Sequence, residues 1–226
     1  PPMFTLFPYT TLFRSIANTF GATSVAIWYD RWTPGDINGT KIHIAFSEDQ
    51  NDDYYYSSFD TSNAKITPPI QVLFGTAITE TSVGVPSITK GRSGNLFLSG
   101  NFNTVAGGRV AKSTDGGISW TDNITPILWS STPADQIQLT PLIEDNDILA
   151  IRADTTNNDI DYRIYDEVLD TWAESWTTIA PLVDNTTYDQ WFSASIKKST
   201  SDVYLSFANY TNNAANDIEF WTFSDS

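Results

Sequence analysis

The sequence predicts an all-β fold: a β-propeller of four-stranded antiparallel blades, with about four blades present. Three observations carry this prediction. An apolar strand core recurs four times, as Ile42-His43-Ile44-Ala45-Phe46, Leu96-Phe97-Leu98-Ser99, Ile148-Leu149-Ala150-Ile151 and Val203-Tyr204-Leu205-Ser206-Phe207. Successive copies start 54, 52 and 55 residues apart, and a period of roughly 50 residues with several short strands per copy is the mark of a propeller blade. No long window shows the 3.6-residue periodicity of a helix. The composition, 14% aromatic and only 17% charged, suits half-buried pleated surface better than exposed helix.

The elements follow in order within each copy. A first strand and a turn precede the apolar core: Ser24–Asp30, then Pro86–Lys90 with Gly91–Asn95, then Gln136–Ile143 with Glu144–Asp147, then Trp191–Lys198 with Ser199–Asp202. The core is the second strand. It is apolar on both faces, as a strand covered by neighbouring blades on both sides must be. A polar loop and a third strand follow, and three of the third strands open alike: Asn51-Asp52-Asp53-Tyr54, Asn158-Asp159-Ile160-Asp161-Tyr162 and Asn216-Asp217-Ile218-Glu219-Phe220. A fourth strand fits around Trp120–Ile127 and Trp172–Ile179. The blades divide at about 16–70, 71–128, 129–182 and 183–226.

Composition narrows the chemistry. The 226 residues contain no cysteine, one histidine and one methionine. A disulfide scaffold, a thiol nucleophile and a cysteine-ligated metal are excluded. His43 alone cannot make a histidine metal site. No calcium loop of the Asp-x-Asp-x-Asn-Gly type with a closing Glu is present, so neither a metal nor a cofactor is expected. With 27 acidic and 12 basic residues the net charge is −15, which argues against nucleic acid and anionic membrane surfaces as partners. No apolar run reaches the length of a membrane span.

Residues Thr5–Ser15 read TLFPYTTLFRS, and all eleven positions resemble the translation of a common short-read sequencing adapter. A signal peptide would carry basic residues before an uninterrupted apolar core. Here Pro1, Pro2 and Pro8 break the stretch and Arg14 comes at its end. Residues 1–15 are therefore set aside as an artefactual segment. The chain is expected to be part of an environmental gene whose own N-terminus is missing.

The segment Ser113-Thr114-Asp115-Gly116-Gly117-Ile118-Ser119-Trp120 matches the Asp-box, Ser-x-Asp-x-Gly-x-Ser/Thr-Trp, at every defined position. Its physics is local: Asp and Ser bond the turn backbone, Gly supplies a positive φ, and Trp covers apolar surface under the hairpin. Degenerate copies fall at Ser58-Phe59-Asp60, at Tyr165-Asp166-Glu167 with Asp170-Thr171-Trp172, and at Asp225, so acidic positions 60, 115, 167 and 225 recur 55, 52 and 58 residues apart. Over residues 16–226 the chain resembles the sialidase-like Asp-box (BNR repeat) propellers. The resemblance implies a six-bladed ring, of which this chain would be a fragment. It also implies a structural role for Ser113, Asp115, Gly117, Trp120, Asp60, Glu167, Trp172 and Asp225, because the family's Asp-box lies away from its catalytic centre.

Sialidases are similar in using three arginines to clamp a substrate carboxylate, a Tyr–Glu pair as nucleophile and an Asp as acid. Arginine suits the clamp because its fork bonds a carboxylate bidentately. Outside the adapter-like segment the arginines are Arg31, Arg92, Arg109, Arg152 and Arg163. Only Arg109 and Arg152 fall near the loops joining second and third strands, which share one face of a propeller. The family's Arg-Ile-Pro segment is absent, and no catalytic residue is assigned.

Those loops, Ser47–Asp53, Asn101–Gly107, Ala153–Asp159 and Asn209–Asp217, are rich in Asp, Asn and Thr. They read either as ordinary Asx-turn chemistry or as a polar groove for sugar hydroxyls. The candidate ligand-face residues are Asp49, Asp52, Asn103, Arg109, Arg152, Asp154 and Asn212. The insertion Tyr29-Asp30-Arg31-Trp32-Thr33-Pro34-Gly35-Asp36 lengthens the first turn of the first blade. It reads as a bulged turn whose Trp28, Tyr29 and Trp32 plug the lower opening, or as an aromatic loop that grips a sugar. His43, inside an apolar strand, reads as a bonded core histidine. Taken together, these features predict a non-catalytic binding propeller, extracellular or virion-associated, for glycans or a protein partner. The alternative is a truncated sialidase-type glycoside hydrolase.

Overall fold

The computed structural model describes residues 22–48, 53–74, 84–101, 108–122, 137–143, 146–154, 157, 159–180, 192–197, 200, 202–208 and 218–224. Its four antiparallel sheets are arranged as a four-bladed propeller. Blade one holds β1 (Ala22–Tyr29), β2 (Lys41–Glu48) and β3 (Tyr54–Asp60), with β4 (Lys65–Ile66) and β5 (Ile70–Leu73) both paired to β3. A 3-10 turn, Asp30–Trp32, joins β1 to β2. Blade two holds β6 (Ser87–Lys90), β7 (Leu96–Asn101) and β8 (Gly108–Ser113), and Thr121 bridges back to Lys112. Blade three holds β9 (Ile137–Pro141), β10 (Ile148–Asp154) and β11 (Asp159–Asp166), with β12 (Thr171–Trp172) and β13 (Thr177–Ala180) on β11. Blade four holds β14 (Phe192–Ile196), β15 (Val203–Ala208) and β16 (Ile218–Phe223).

The second strands are the most buried. All residues of β7 and β10 are buried, as are the last six of β2. Three apolar layers lie between successive blades. Tyr54, Tyr56, Leu73, Leu96 and Leu98 pack between blades one and two. Phe97, Leu139, Ile148 and Tyr165 pack between two and three. Leu149, Ile151, Val203, Leu205 and Phe207 pack between three and four. Polar side chains stitch the innermost strands together. Ser87 Oγ accepts the Leu139 N–H at 3.0 Å. The Gln138 amide donates to the Ala194 carbonyl at 2.6 Å and accepts the Ala194 N–H at 2.8 Å, standing in for a strand neighbour. The face of blade four turned away from blade three exposes Tyr204, Ile218 and Phe220.

Two expectations need correction. The single fourth strand is two short pieces in blades one and three. In blade one Pro68 and Pro69 separate β4 from β5, and neither can donate to a ladder. In blade three the chain leaves the sheet after Trp172, where the Arg163 guanidinium binds the carbonyls of Ala173 and Glu174. The blade boundary expected after residue 70 cuts β5, which belongs wholly to blade one.

Candidate functional site

The Ser113–Trp120 turn is organised by one carboxylate. Asp115 Oδ1 accepts the N–H groups of Ile118 and Ser119 at 3.0 and 2.9 Å, and its Oδ2 accepts the Ser119 hydroxyl at 2.5 Å. Ser113 Oγ donates to Asp115 at 2.9 Å and accepts the Gly117 N–H at 2.9 Å. These bonds, led by those from Ser119, hold the exposed Asp115 carboxyl down at about 2. Gly116 and Gly117 take φ of 74° and 93°, and Trp120 packs edge-on to Tyr56 of blade one at 5.1 Å.

The equivalent turns differ in one residue from expectation. Asp60 accepts the Ser62 N–H at 2.9 Å and the Ser62 hydroxyl at 2.6 Å, which lowers its pKa. In blade three the turn acceptor is Asp166, which takes the N–H groups of Val168 and Leu169 at 2.9 and 2.8 Å. Glu167 instead reaches across to blade two, where it accepts from Ser93 at 2.7 Å and from Asn95. Strand register explains the shift. Asp60 pairs with Lys65 and Asp166 with Thr171, so these two acids open matching four-residue turns. Trp172 is buried against Tyr165. Asp225 lies outside the described residues.

On the candidate ligand face Asp49, Asp52, Asn103 and Asn212 lie outside the described residues. The two arginines there are both spent internally. Arg109 pairs with Asp122 at 2.9 Å and donates to the Phe74 carbonyl of blade one. Arg152 is buried; its Nε and Nη2 reach Asp161 Oδ2 at 3.0 and 2.8 Å, and Nη2 also reaches Asp154 at 2.8 Å. Its guanidinium lies 4.5 Å from the centre of the Trp176 ring. Asp154 also accepts the Asn157 side chain at 3.0 Å.

The opposite end of the molecule holds a network that the sequence did not disclose. Asp30, buried, accepts from His43 Nε2 at 2.9 Å, from Lys90 Nζ at 2.8 Å and from the Lys41 N–H at 3.0 Å. Lys90 also reaches Asp36 at 2.7 Å. Burial alone would raise the Asp30 pKa, but these bonds outweigh it and hold the carboxyl well below the usual range. His43 Nδ1 lies 2.8 Å from the Tyr56 hydroxyl. Burial pulls the His43 pKa down, so the neutral ring donates from Nε2 and accepts at Nδ1. Gly39 makes room for this arrangement, since a Cβ there would meet Asp30 Cβ at 2.1 Å. The signal available in advance was the inserted turn itself, which contains Asp30 and Asp36 and is followed three residues later by Gly39. His43 is thus a core histidine with both ring nitrogens bonded.

Beside this network β1, β6, β9 and β14 surround a central channel of about 410 Å³, lined by Trp28, Trp32, Ser87, Gln138, Thr140 and Ser195 among others. Trp28 Nε1 donates to Thr33 Oγ1 at 2.9 Å, and Thr33 in turn donates to the Lys90 carbonyl at 3.1 Å. Trp32 stands edge-on to Trp28 and Tyr29 at 5.8 and 6.2 Å and remains 42% exposed. Among the described residues no group of three or more His, Asp or Glu side chains is placed to hold a metal, and no helix is long and apolar enough to cross a membrane.

This architecture is similar in fold to the β-propellers of sialidases and other glycoside hydrolases. The phage phi92 endosialidase aligns with a TM-score of 0.56 at 9% identity over 89% of this chain and 35% of its own. The intramolecular trans-sialidase of Ruminococcus gnavus aligns at 0.51 with 13% identity over 82% of this chain and 40% of its own. A GH43 β-1,3-galactosidase aligns at 0.55 with 10% identity over 89% of this chain and 72% of its own. The chain thus spans well under half the length of the two sialidases. At these identities the likeness is one of fold. No family model matches the sequence, and no curated protein matches it.

Proposed function

We propose that this chain is a non-catalytic, glycan-recognising propeller of sialidase-like descent, extracellular or virion-associated, with Ser113–Trp120 as its Asp-box. The observation that carries the reading is the state of Arg109 and Arg152. Both direct their guanidinium groups at internal acids and carbonyls, and a buried arginine already bonded to two carboxylates does not clamp a third. The fold common to carbohydrate-active propellers supports a sugar as ligand, and the acidic charge opposes polyanions. The test is a glycan array run beside a fluorogenic sialoside assay on the same preparation. Saccharide binding without turnover is expected. Sialoside hydrolysis that disappears in Arg152→Ala, with folding intact, would establish the hydrolase instead. A protein partner is the second reading, favoured by the exposed Tyr204, Ile218 and Phe220 on blade four.

A further inference from the structure

We infer that the end of the central channel beside Trp32 is a binding site for an uncharged mono- or disaccharide, stacked on the Trp32 indole. The inference rests on the glycan-recognition reading and moves its site from the polar loops to the propeller axis. Four features argue for it. The channel volume of about 410 Å³ lies within the roughly 300–1,000 Å³ typical of small-molecule sites. Among the described residues none that lines it is Asp, Glu, Lys, Arg or His, so a charged ligand would meet no counter-charge from them and lose its hydration uncompensated. That selects a neutral molecule.

The channel wall also selects hydroxyl groups. Among the described strands, β1, β6, β9 and β14 each pair on one side only, with β2, β7, β10 and β15, and their other backbone edges face the axis. Ser87 and Gln138 take up part of those edges. The remaining alternation of N–H and C=O groups, with the exposed Ser195 side chain, matches hydroxyls that both donate and accept. An apolar guest would leave these groups unpaired at a cost.

Finally, Trp32 is already set in place. The 3-10 turn, the edge contacts with Trp28 and Tyr29, and the Trp28–Thr33–Lys90 hydrogen bonds hold the indole while leaving 42% of the residue exposed. A pre-positioned aromatic face loses little entropy on binding, and the C–H face of a pyranose is its natural complement.

The experiment titrates the full chain with lactose, maltose and methyl galactoside, and with sialyllactose as the charged counterpart of lactose, by calorimetry and tryptophan fluorescence. A neutral sugar is expected to bind saturably and to shift the fluorescence. Trp32→Ala, which removes the stacking face, and Ser195→Tyr, which fills the channel from blade four, should each weaken binding about tenfold or more. Unchanged affinity in both variants would overturn the channel site and leave glycan recognition standing elsewhere on the molecule. Tighter binding of sialyllactose than of lactose would overturn the neutral-ligand assignment. A panel in which no glycan binds the unaltered chain would overturn both this inference and the reading beneath it.

Discussion

The ring of Tyr56 occupies the space where a Gly117 side chain would begin: a Cβ there would meet Tyr56 Cε1 at 2.2 Å. Tyr56 belongs to β3 of blade one and Gly117 to the outer turn of blade two, so the contact joins two blades. Behind it the Tyr56 hydroxyl faces His43, and His43 faces Asp30. One line of contacts therefore runs from the inserted turn of blade one to the carboxylate-organised turn of blade two. Burial raises the Tyr56 pKa, so its hydroxyl stays protonated at all physiological pH values.

Gly117→Ala is expected to destabilise the protein by about 2–5 kcal/mol. It adds a Cβ at a positive φ, costing about 1–2 kcal/mol, and overpacks Tyr56, costing about 1–3 kcal/mol. Gly35→Ala is the control. Its φ is 87° but nothing lies within 4 Å of the place a Cβ would take, so only the conformational cost of about 1–2 kcal/mol remains. Urea unfolding of the two variants checks this, and equal losses would show that the Tyr56 contact is not tight.

Arg152→Ala should cost about 3–5 kcal/mol, because it strands Asp154 and Asp161 as buried, uncompensated carboxylates. Replacing the pair together, as Arg152→Met with Asp161→Leu, should recover a large part of that loss. A double variant as unstable as the sum of its single changes would mean that the two residues are not energetically coupled.

Stability should fall as pH drops below about 6.5. The folded-state pKa of His43 is lowered from its ordinary 6.5 by burial, against the pull of Asp30 and with Lys90 and Lys41 nearby. The unfolded chain therefore takes up a proton before the folded chain does. No penalty exists above the unfolded value, and it grows as pH falls toward the lower folded value. Thermal melts between pH 8 and 5 should show this slope, and His43→Gln should abolish it.

A second acid-side loss belongs to Asp115. Its pKa of about 2 lies below the ordinary 3.8, so its stabilising bonds are fully present above about 4 and vanish as pH falls through 2. In Asp115→Asn the melting temperature should be lower at neutral pH and less sensitive to acid in that window. An unaltered acid profile would argue that the turn does not depend on the carboxylate charge.

The four sheets were legible because their evidence is local and repeated. The apolar run Leu96–Ser99 marks β7 wherever it is read, since a strand buried on both faces has few other compositions. Turn acceptors were legible to within a residue. Asp60 and Asp115 follow from Asx chemistry, whereas the repeat spacing points to Glu167 and the strand register instead makes its neighbour Asp166 the acid that opens the turn. The roles of Arg109 and Arg152 were not legible. Each sits near the candidate loops in sequence, and only the cross-strand and cross-blade placement of Asp161, Asp122 and Phe74 shows where their donors go.

By itself, the sequence determined the all-β class, the blade period and the kind of residue at each turn, because hydrophobic alternation and Asx bonding act over a few neighbouring residues. Tertiary structure alone decided which distant groups meet. Lys90 reaches Asp30 across 60 residues, and Gln138 reaches Ala194 across 56. The central channel arises where four strands from four blades converge. Such meetings are set by blade packing, where buried polar groups must find partners in whatever chain segment the packing brings beside them.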